Sequence, residues 1–427
     1  MKKNTSFSIF IIGALFFVFG FVTWLNSVLI PFLKTACELS DSEASLVPFA
    51  FYISYFVMAI PSSAILKKTG FTNGMALGLI VMAVGSLIFI PAAIERNYLL
   101  FLIGLFTQGT GLALLQTATN PYVTIIGPIE SAAQRISIMG ICNKIAGMIG
   151  VLALFSALFS STKHLMTDFD NITNEILREK ILQQLSNSVI FPYLIMTTVL
   201  IGLVLFIKLS KLPEIYEEEQ EDTKTAHQSI FSYPYLWFGI AAIFFYVGVE
   251  VVAIDYLIVY AKELQIPTDI SRYYPIAALC ALVIGYLVGI ALVPKVISQR
   301  VSLIINATLG LALVTLALCT FGTTSIYAII GLSFAHAIMW PAIWPLSIHN
   351  LGKHTKLASA FLIMGIAGGA VLPLIFGATS DRHGIHYAYS VMLPGYVYLI
   401  VFATVLCKMK LIKHLNLKNF LCNNNLE

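Results

Sequence analysis

The apolar residues of this chain fall into uncharged blocks of about twenty, the length that carries an α-helix across a hydrocarbon core of roughly 30 Å. A membrane barrel would instead alternate polar and apolar in segments of about ten residues. Only 11% of the 427 residues are charged while 58% are hydrophobic, against roughly 25% charged in an ordinary soluble domain. Soluble globular and disordered chains are thereby excluded, and an all-α integral membrane protein is expected.

Long runs bounded by charge, Pro or Gly predict twelve spans. They lie near Ser6–Leu33, Ala44–Leu66, Gly74–Ile94, Tyr98–Ile126, Ile136–Phe159 and Val189–Ile207, then Tyr235–Tyr260, Tyr273–Val293, Val301–Cys319, Ser325–Ile348, Leu357–Ala378 and Tyr387–Leu406. The first run, behind Met1-Lys2-Lys3, is too long for a signal h-region of about 7–15 residues and has no small-residue cleavage site, so it reads as a span. With the N-terminus inside, sixteen Lys and Arg fall in inner segments and eight in outer loops. The positive-inside rule then puts both termini in the cytoplasm.

An acidic stretch, Glu217-Glu218-Glu219-Gln220-Glu221-Asp222, reads as a solvated linker. It divides the chain into a six-span half (1–209), a linker (210–232), a second six-span half (233–408) and a cytoplasmic tail (409–427). The halves repeat. Phe17-Val18-Phe19-Gly20 matches Phe245-Tyr246-Val247-Gly248 at an offset of 228, Pro48 and Lys68 match Pro275 and Lys295 at 227, and Ile138-Met139-Gly140-Ile141 recurs as Ile363-Met364-Gly365-Ile366 at 225. Six spans per copy keep both copies in one orientation, so the pseudo-symmetry axis runs along the membrane normal. That is the architecture of a major facilitator fold, in which a midplane site between the halves is reached by alternating access.

Of 21 acidic residues only Glu250 and Asp255, both in the seventh span, lie inside the membrane, and of 25 basic residues only Lys144 does. A charge at the bilayer centre costs at least roughly 2.5–3.5 kcal/mol, so each faces a cavity or a partner. Either the three serve the mechanism, or a lysine–carboxylate pair merely fixes helix packing. Five residues place Glu250 and Asp255 about 140° apart around a helix, so they are not expected to form a close dyad. At the 228 offset Asp255 is the mate of Ser27 and Glu250 of Val22, which favours Asp255 as the cavity-facing group. A carboxylate there couples a cation, H+ or Na+, to substrate binding.

Asn26, Gln116, Asn120 and Asn143 carry amides that both donate and accept, which suits either a hydroxyl-rich ligand or interhelical bonding. Trp24 and Trp340 lie deep enough to offer an apolar platform to a sugar ring or simply to pack, while Trp344, nearer the inner end, is expected at the interface. His336 is either a proton relay or a structural residue. Gly285 and Gly289, and likewise Gly365 and Gly369, form small-residue faces for close helix packing. The six cysteines show no Cys-x-x-Cys, and there is no Walker-type loop. No metal, cofactor, ATP site or nucleic-acid partner is expected.

Several stretches resemble a known family: Trp24-Leu25-Asn26-Ser27-Val28-Leu29-Ile30-Pro31, Gln116-Thr117-Ala118-Thr119-Asn120-Pro121-Tyr122-Val123, Ile141-Cys142-Asn143-Lys144, Tyr246-Val247-Gly248-Val249-Glu250-Val251 and Met339-Trp340-Pro341-Ala342-Ile343-Trp344-Pro345. The chain is similar over nearly its whole length to the fucose/galactose/glucose symporter family, nearest its bacterial glucose/galactose branch. The resemblance implies a multi-pass protein of the bacterial inner membrane that imports a monosaccharide on a cation gradient, with sugar, coupling cation and lipid as its partners. Glucose or galactose is the expected substrate; fucose, N-acetylglucosamine and a non-transporting sugar sensor are the alternatives. The fucose members are thought to use carboxylates in the first and fourth spans, where this chain has Ser27 and Gln116. The expectation that follows moves coupling to Asp255, with Glu250 supporting and Lys144 modulating.

Overall fold

The computed structural model describes residues 2–125, 132–159, 175–209, 230, 233–293, 296–348, 351 and 355–405. The acidic stretch, the residues 160–174 and the tail from 406 lie outside the described residues, as do the side chains of Pro121 and Tyr122.

The described residues are helices joined by short turns and links, with no strand among them. The first part runs α1 (Lys2–Trp24), α2 (Asn26–Ala36), α3 (Asp41–Ala44), α4 (Leu46–Ile94), α5 (Tyr98–Ile125), α6 (Ala132–Phe159), α7 (Glu175–Asn187) and α8 (Ile190–Leu209). The second part runs α9 (Pro234–Asp255), α10 (Leu257–Glu263), α11 (Thr268–Ser271), α12 (Tyr274–Leu292), α13 (Gln299–Cys319) and α14 (Thr323–His336). It continues with α15 (Met339–Ile348), α16 (Thr355–Met364), α17 (Gly368–His383) and α18 (Ile385–Ala388), and helix resumes over 393–405.

Eleven helical stretches among the described residues are long and apolar enough to cross a bilayer. One of them, Asp41–Ile94, has 54 residues. Inside it Gly70 takes φ 76 and ψ 173, so α4 is two helical segments meeting at a bend. Only a residue without a Cβ adopts that left-handed φ at little cost.

Several expected single spans are interrupted. The first breaks at Leu25, the seventh at Tyr256 and the tenth between His336 and Met339, while the eleventh and twelfth pass through 3-10 turns at Gly365–Ala367 and Tyr389–Met392. Ser27 Oγ donates to the carbonyl of Trp24 at 2.8 Å, supplying a partner at the first of these breaks. Freed backbone groups of this kind persist inside a membrane protein only where protein neighbours satisfy them.

Large apolar side chains face outward in helical register, as on α4 (Ile80, Val84, Leu87) and α12 (Ile284, Leu287, Val288). In water such stripes would be a liability; against lipid they are the solvated face. Inside, one continuous apolar cluster includes Phe19, Val22 and Tyr52 from the first part with Tyr246, Val251 and Ile366 from the second. The two parts meet where α6 packs on α12 and where α4 packs on α16 and α17.

The repeat has a structural counterpart. A Cβ on Gly20 would overlap the carbonyl oxygen of Asn143, where α1 crosses α6. At the repeat offsets these residues become Gly248 and Gly368, and a Cβ on Gly248 would lie 2.9 Å from the carbonyl oxygen of Gly368. The same crossing is thus built twice. The small-residue face expected at Gly285 and Gly289 also packs closely, against Phe334, Ala337 and Ile338 of the α14–α15 region.

Candidate functional site

Charge is rare enough inside this molecule that the site can be assembled outward from its few ionised groups. α6 presents Lys144 and α9 presents Glu250, and the ammonium lies 3.2 Å from the carboxylate with both side chains nearly inaccessible to solvent. The pair joins residues 106 positions apart, from opposite sides of the acidic stretch. Lys144 Nζ also lies 4.1 Å from the centroid of the Trp24 ring. A desolvated ammonium over an indole face gains roughly 2 kcal/mol, so the ring is a second partner for the same charge.

Trp24 is fixed in turn. Its indole N–H donates to Asn143 Oδ1 at 3.1 Å, and its ring edge packs over Gly147, where a Cβ would intrude. The Asn143 amide nitrogen reaches the Phe16 carbonyl at 3.5 Å. Both the face and the N–H of Trp24 therefore have protein partners in this conformation. Asn143 and Lys144, adjacent in sequence, act on one indole from two directions.

Asp255 is placed differently. It is the last residue of α9, just before the break at Tyr256, and is 1% exposed. Neither carboxylate oxygen has a hydrogen-bond partner among the described residues. Glu250, Lys144, Tyr52 and Tyr256 interact with it electrostatically. The two acids of the seventh span thus have unlike surroundings, one in an ion pair and one without a hydrogen bond among the described residues.

The uncharged candidates divide between two groups. Gln116 donates to the Tyr55 hydroxyl at 3.1 Å, and Asn120, half-buried, lies one turn further along α5. Asn26 is 1% exposed beside the Tyr52 hydroxyl, and its amide nitrogen has no partner among the described residues. Ser27 spends its hydroxyl on backbone. Trp340 is half-buried, stacks on Trp344 at 5.5 Å and faces Tyr246 at 6.2 Å. Trp344 is itself buried, stacked on Trp340. His336 is fully buried; its Nε2 bonds the Tyr396 hydroxyl at 2.7 Å while Nδ1 has no partner among the described residues.

Sequence reasoning passed over the tyrosines. Tyr246 lies beside Glu250 and edge-on to His336 at 6.2 Å, Tyr52 and Tyr55 stack on each other at 6.3 Å, and Tyr396 completes the His336 contact. One signal was available: Tyr246 and Glu250 are four residues apart, hence on one helix face. The tyrosines give this interior hydroxyls and aromatic faces around a small set of charges, an arrangement suited to an uncharged, polyhydroxylated solute.

Comparison with known proteins fixes the family. The Major Facilitator Superfamily profile matches residues 12–373. This chain belongs to that superfamily. Among its relatives, a protein of Brucella abortus named glucose/galactose transporter is 31% identical over 95% of both chains. A putative glucose/galactose transporter of Helicobacter pylori is 33% identical, covering 94% of this chain and 97% of that one. The L-fucose-proton symporter of Escherichia coli is 31% identical over 91% and 90%.

The superfamily fold is equally clear in three dimensions. The crystal structure of the transporter FucP in its outward conformation aligns with a TM-score of 0.73 at 28% identity, covering 94% of this chain and 98% of that one. These superfamily relatives are transporters, not enzymes, and the expected resemblance to the fucose/galactose/glucose symporters is borne out.

Proposed function

We propose that this chain imports a hexose, glucose or galactose or both, by cation-coupled symport with alternating access. Its relatives carry the names glucose/galactose transporter and L-fucose-proton symporter, which supports the substrate class. On this reading the halves 1–209 and 233–408 rock about the site, joined by the linker 210–232, with both termini cytoplasmic and the protein in the bacterial inner membrane. The 54-residue stretch would be about 80 Å long at 1.5 Å per residue, so it makes two crossings with its bend at Gly70, and the total becomes twelve.

The observation that carries the reading is the contrast between the two acids. Glu250 has Lys144, whereas Asp255 is buried with neither oxygen bonded among the described residues. A lone ionised carboxylate in that setting is too costly to hold without a cation. Asp255 is therefore the coupling group: it holds H+ or Na+ on the inward stroke and gives it up inside. Glu250 and Lys144 set the field around it, and Asn26, Gln116, Asn120 and Asn143 bond sugar hydroxyls beside Trp24 and Trp340. Ser27 and Gln116, which stand where the fucose members have carboxylates, are left with hydrogen bonding alone.

The test is uptake by the reconstituted protein of labelled glucose, galactose, fucose and N-acetylglucosamine, with sodium replaced and with a proton uncoupler. Asp255→Asn is expected to abolish gradient-driven accumulation while counterflow exchange persists. Normal accumulation by that variant refutes the coupling role. Accumulation of fucose or N-acetylglucosamine alone reassigns the substrate, and no accumulation of any sugar returns the non-transporting sensor.

A further inference from the structure

A second polar cluster lies apart from Lys144, at the end of the molecule that carries residues 37–45 and 377–384, which the charge distribution assigns to the outside. There α3 is a single turn, capped by Ser40 with Glu43 closing the capping box. Asp381, near the end of α17, reaches the same turn from the other repeat copy. One carboxylate oxygen accepts from the Asp41 N–H at 3.0 Å, and the other from the Ser42 N–H at 3.0 Å and from the Ser42 hydroxyl. The contact is reciprocated: Ser380 donates to the Asp41 carboxylate at 2.7 Å, and Lys34 pairs with that carboxylate's other oxygen.

Behind this polar layer the two copies are in contact without a gap. A Cβ on Gly377 would overlap Ser45 Oγ, and the Tyr256 hydroxyl donates to the same oxygen at 3.2 Å. Ser45 itself is 0% exposed. The interlock therefore covers the outer approach to the break at Tyr256, which directly follows Asp255.

Three properties distinguish it from ordinary helix packing. It ties together residues 340 positions apart, on opposite copies of the repeat. Its bonds are charge-assisted, hence roughly twice as strong as neutral ones, yet they lie in contact with solvent, where water can replace each partner as it leaves. The repeat-related positions also carry different residues. At the repeat offsets Asp41 corresponds to Thr268 and Asp381 to Ser156, and the neighbouring contact there is Arg272 over the Phe155 ring at 6.0 Å.

We propose that Asp381, with Asp41 and Ser42, is the latch of the outer gate, closed in this conformation and opened once in each transport cycle. Asp381 is a positioning residue: it touches neither sugar nor coupling ion but holds the outer ends of the two copies together. The proposal rests on the alternating-access reading above.

Ser45→Cys supplies a reporter beneath the latch, in full-length protein whose own cysteines are replaced by serine. Maleimide should label it at least about tenfold faster when Asp381→Ala is added, the equivalent of one charge-assisted hydrogen bond, with Asp381→Asn intermediate. Equal labelling rates overturn the latch. The pair Ser42→Cys and Asp381→Cys gives a second measurement should the alanine variant fold poorly. Oxidation should cross-link the pair and stop sugar flux, and reductant should restore it; flux that continues through the cross-linked protein overturns the proposal. Because labelling requires no transport, faster labelling in a protein that moves none of the sugars supports the latch and refutes the symport reading instead.

Discussion

Removing Glu250 should harm this protein more than removing Glu250 and Lys144 together. At 3.2 Å two unit charges attract by about 5 kcal/mol at an effective dielectric of about 20. Withdrawing them from water costs several kcal/mol per ion. The pair is thus near break-even, and its value lies in each charge neutralising the other. Glu250→Gln leaves the buried Lys144 ammonium with the Trp24 ring and the field of Asp255 in place of a paired carboxylate. The expected cost is about 3–5 kcal/mol, and the insertion cost of roughly 2.5–3.5 kcal/mol for a lone charge at the bilayer centre agrees in size. Even 3 kcal/mol reduces the folded-to-unfolded ratio roughly a hundredfold. Lys144→Met together with Glu250→Gln removes both charges and should return to within about 1 kcal/mol of the parent. The assay is the fraction of purified protein still monodisperse after a heating series, for parent, both single variants and the double. A double variant as unstable as either single, or singles as stable as the parent, would refute the reasoning.

Other outcomes follow from contacts described above. Gly20→Ala places a methyl group on the Asn143 carbonyl, so the α1–α6 crossing must separate and folded yield should collapse, whereas Gly202→Ala, with nothing within 4 Å, should leave yield unchanged. Trp24→Phe keeps an aromatic face for Lys144 but loses the indole N–H to Asn143, a loss of about 1 kcal/mol; a thermal midpoint as low as that of Trp24→Ala would contradict this. Arg96 and Glu179 form an exposed pair at 2.9 Å, so Glu179→Gln should move stability by less than about 1 kcal/mol, and a larger drop in thermal midpoint would show that the pair does more than its exposure allows.

How far the sequence could be read depended on how each residue signals its setting. Lys144 and Glu250 stood out because nearly every other charge in the chain has a place in a loop or at an end. That logic could not tell the paired acid from the lone one, since pairing depends on where α6 lies relative to α9. The repeat pointed to Asp255 through Ser27, and among the described residues Asp255 has neither oxygen bonded. The breaks at Leu25 and Tyr256 were invisible, because the apolar run continues through each without a Pro or Gly at the break. What sustains them is tertiary, as the Ser27 bond to the Trp24 carbonyl illustrates. The tyrosines escaped notice because a phenol inside an apolar run looks like any other aromatic until a charge is found beside it.

The glycine crossing, built twice, bears on how such a molecule can arise. Gly20 with Asn143 and Gly248 with Gly368 are the same joint, but one copy keeps an amide where the other has no side chain. The next residues diverge further: Lys144 corresponds to Gly369, and Glu250 to Val22. In a homodimer with this fold, a lysine and a glutamate at these two positions would meet twice, once across each symmetry-related contact. This chain keeps one such pair and has glycine and valine at the mates. The loss of symmetry therefore leaves one ion pair to be handled where an unbroken two-fold would hold two.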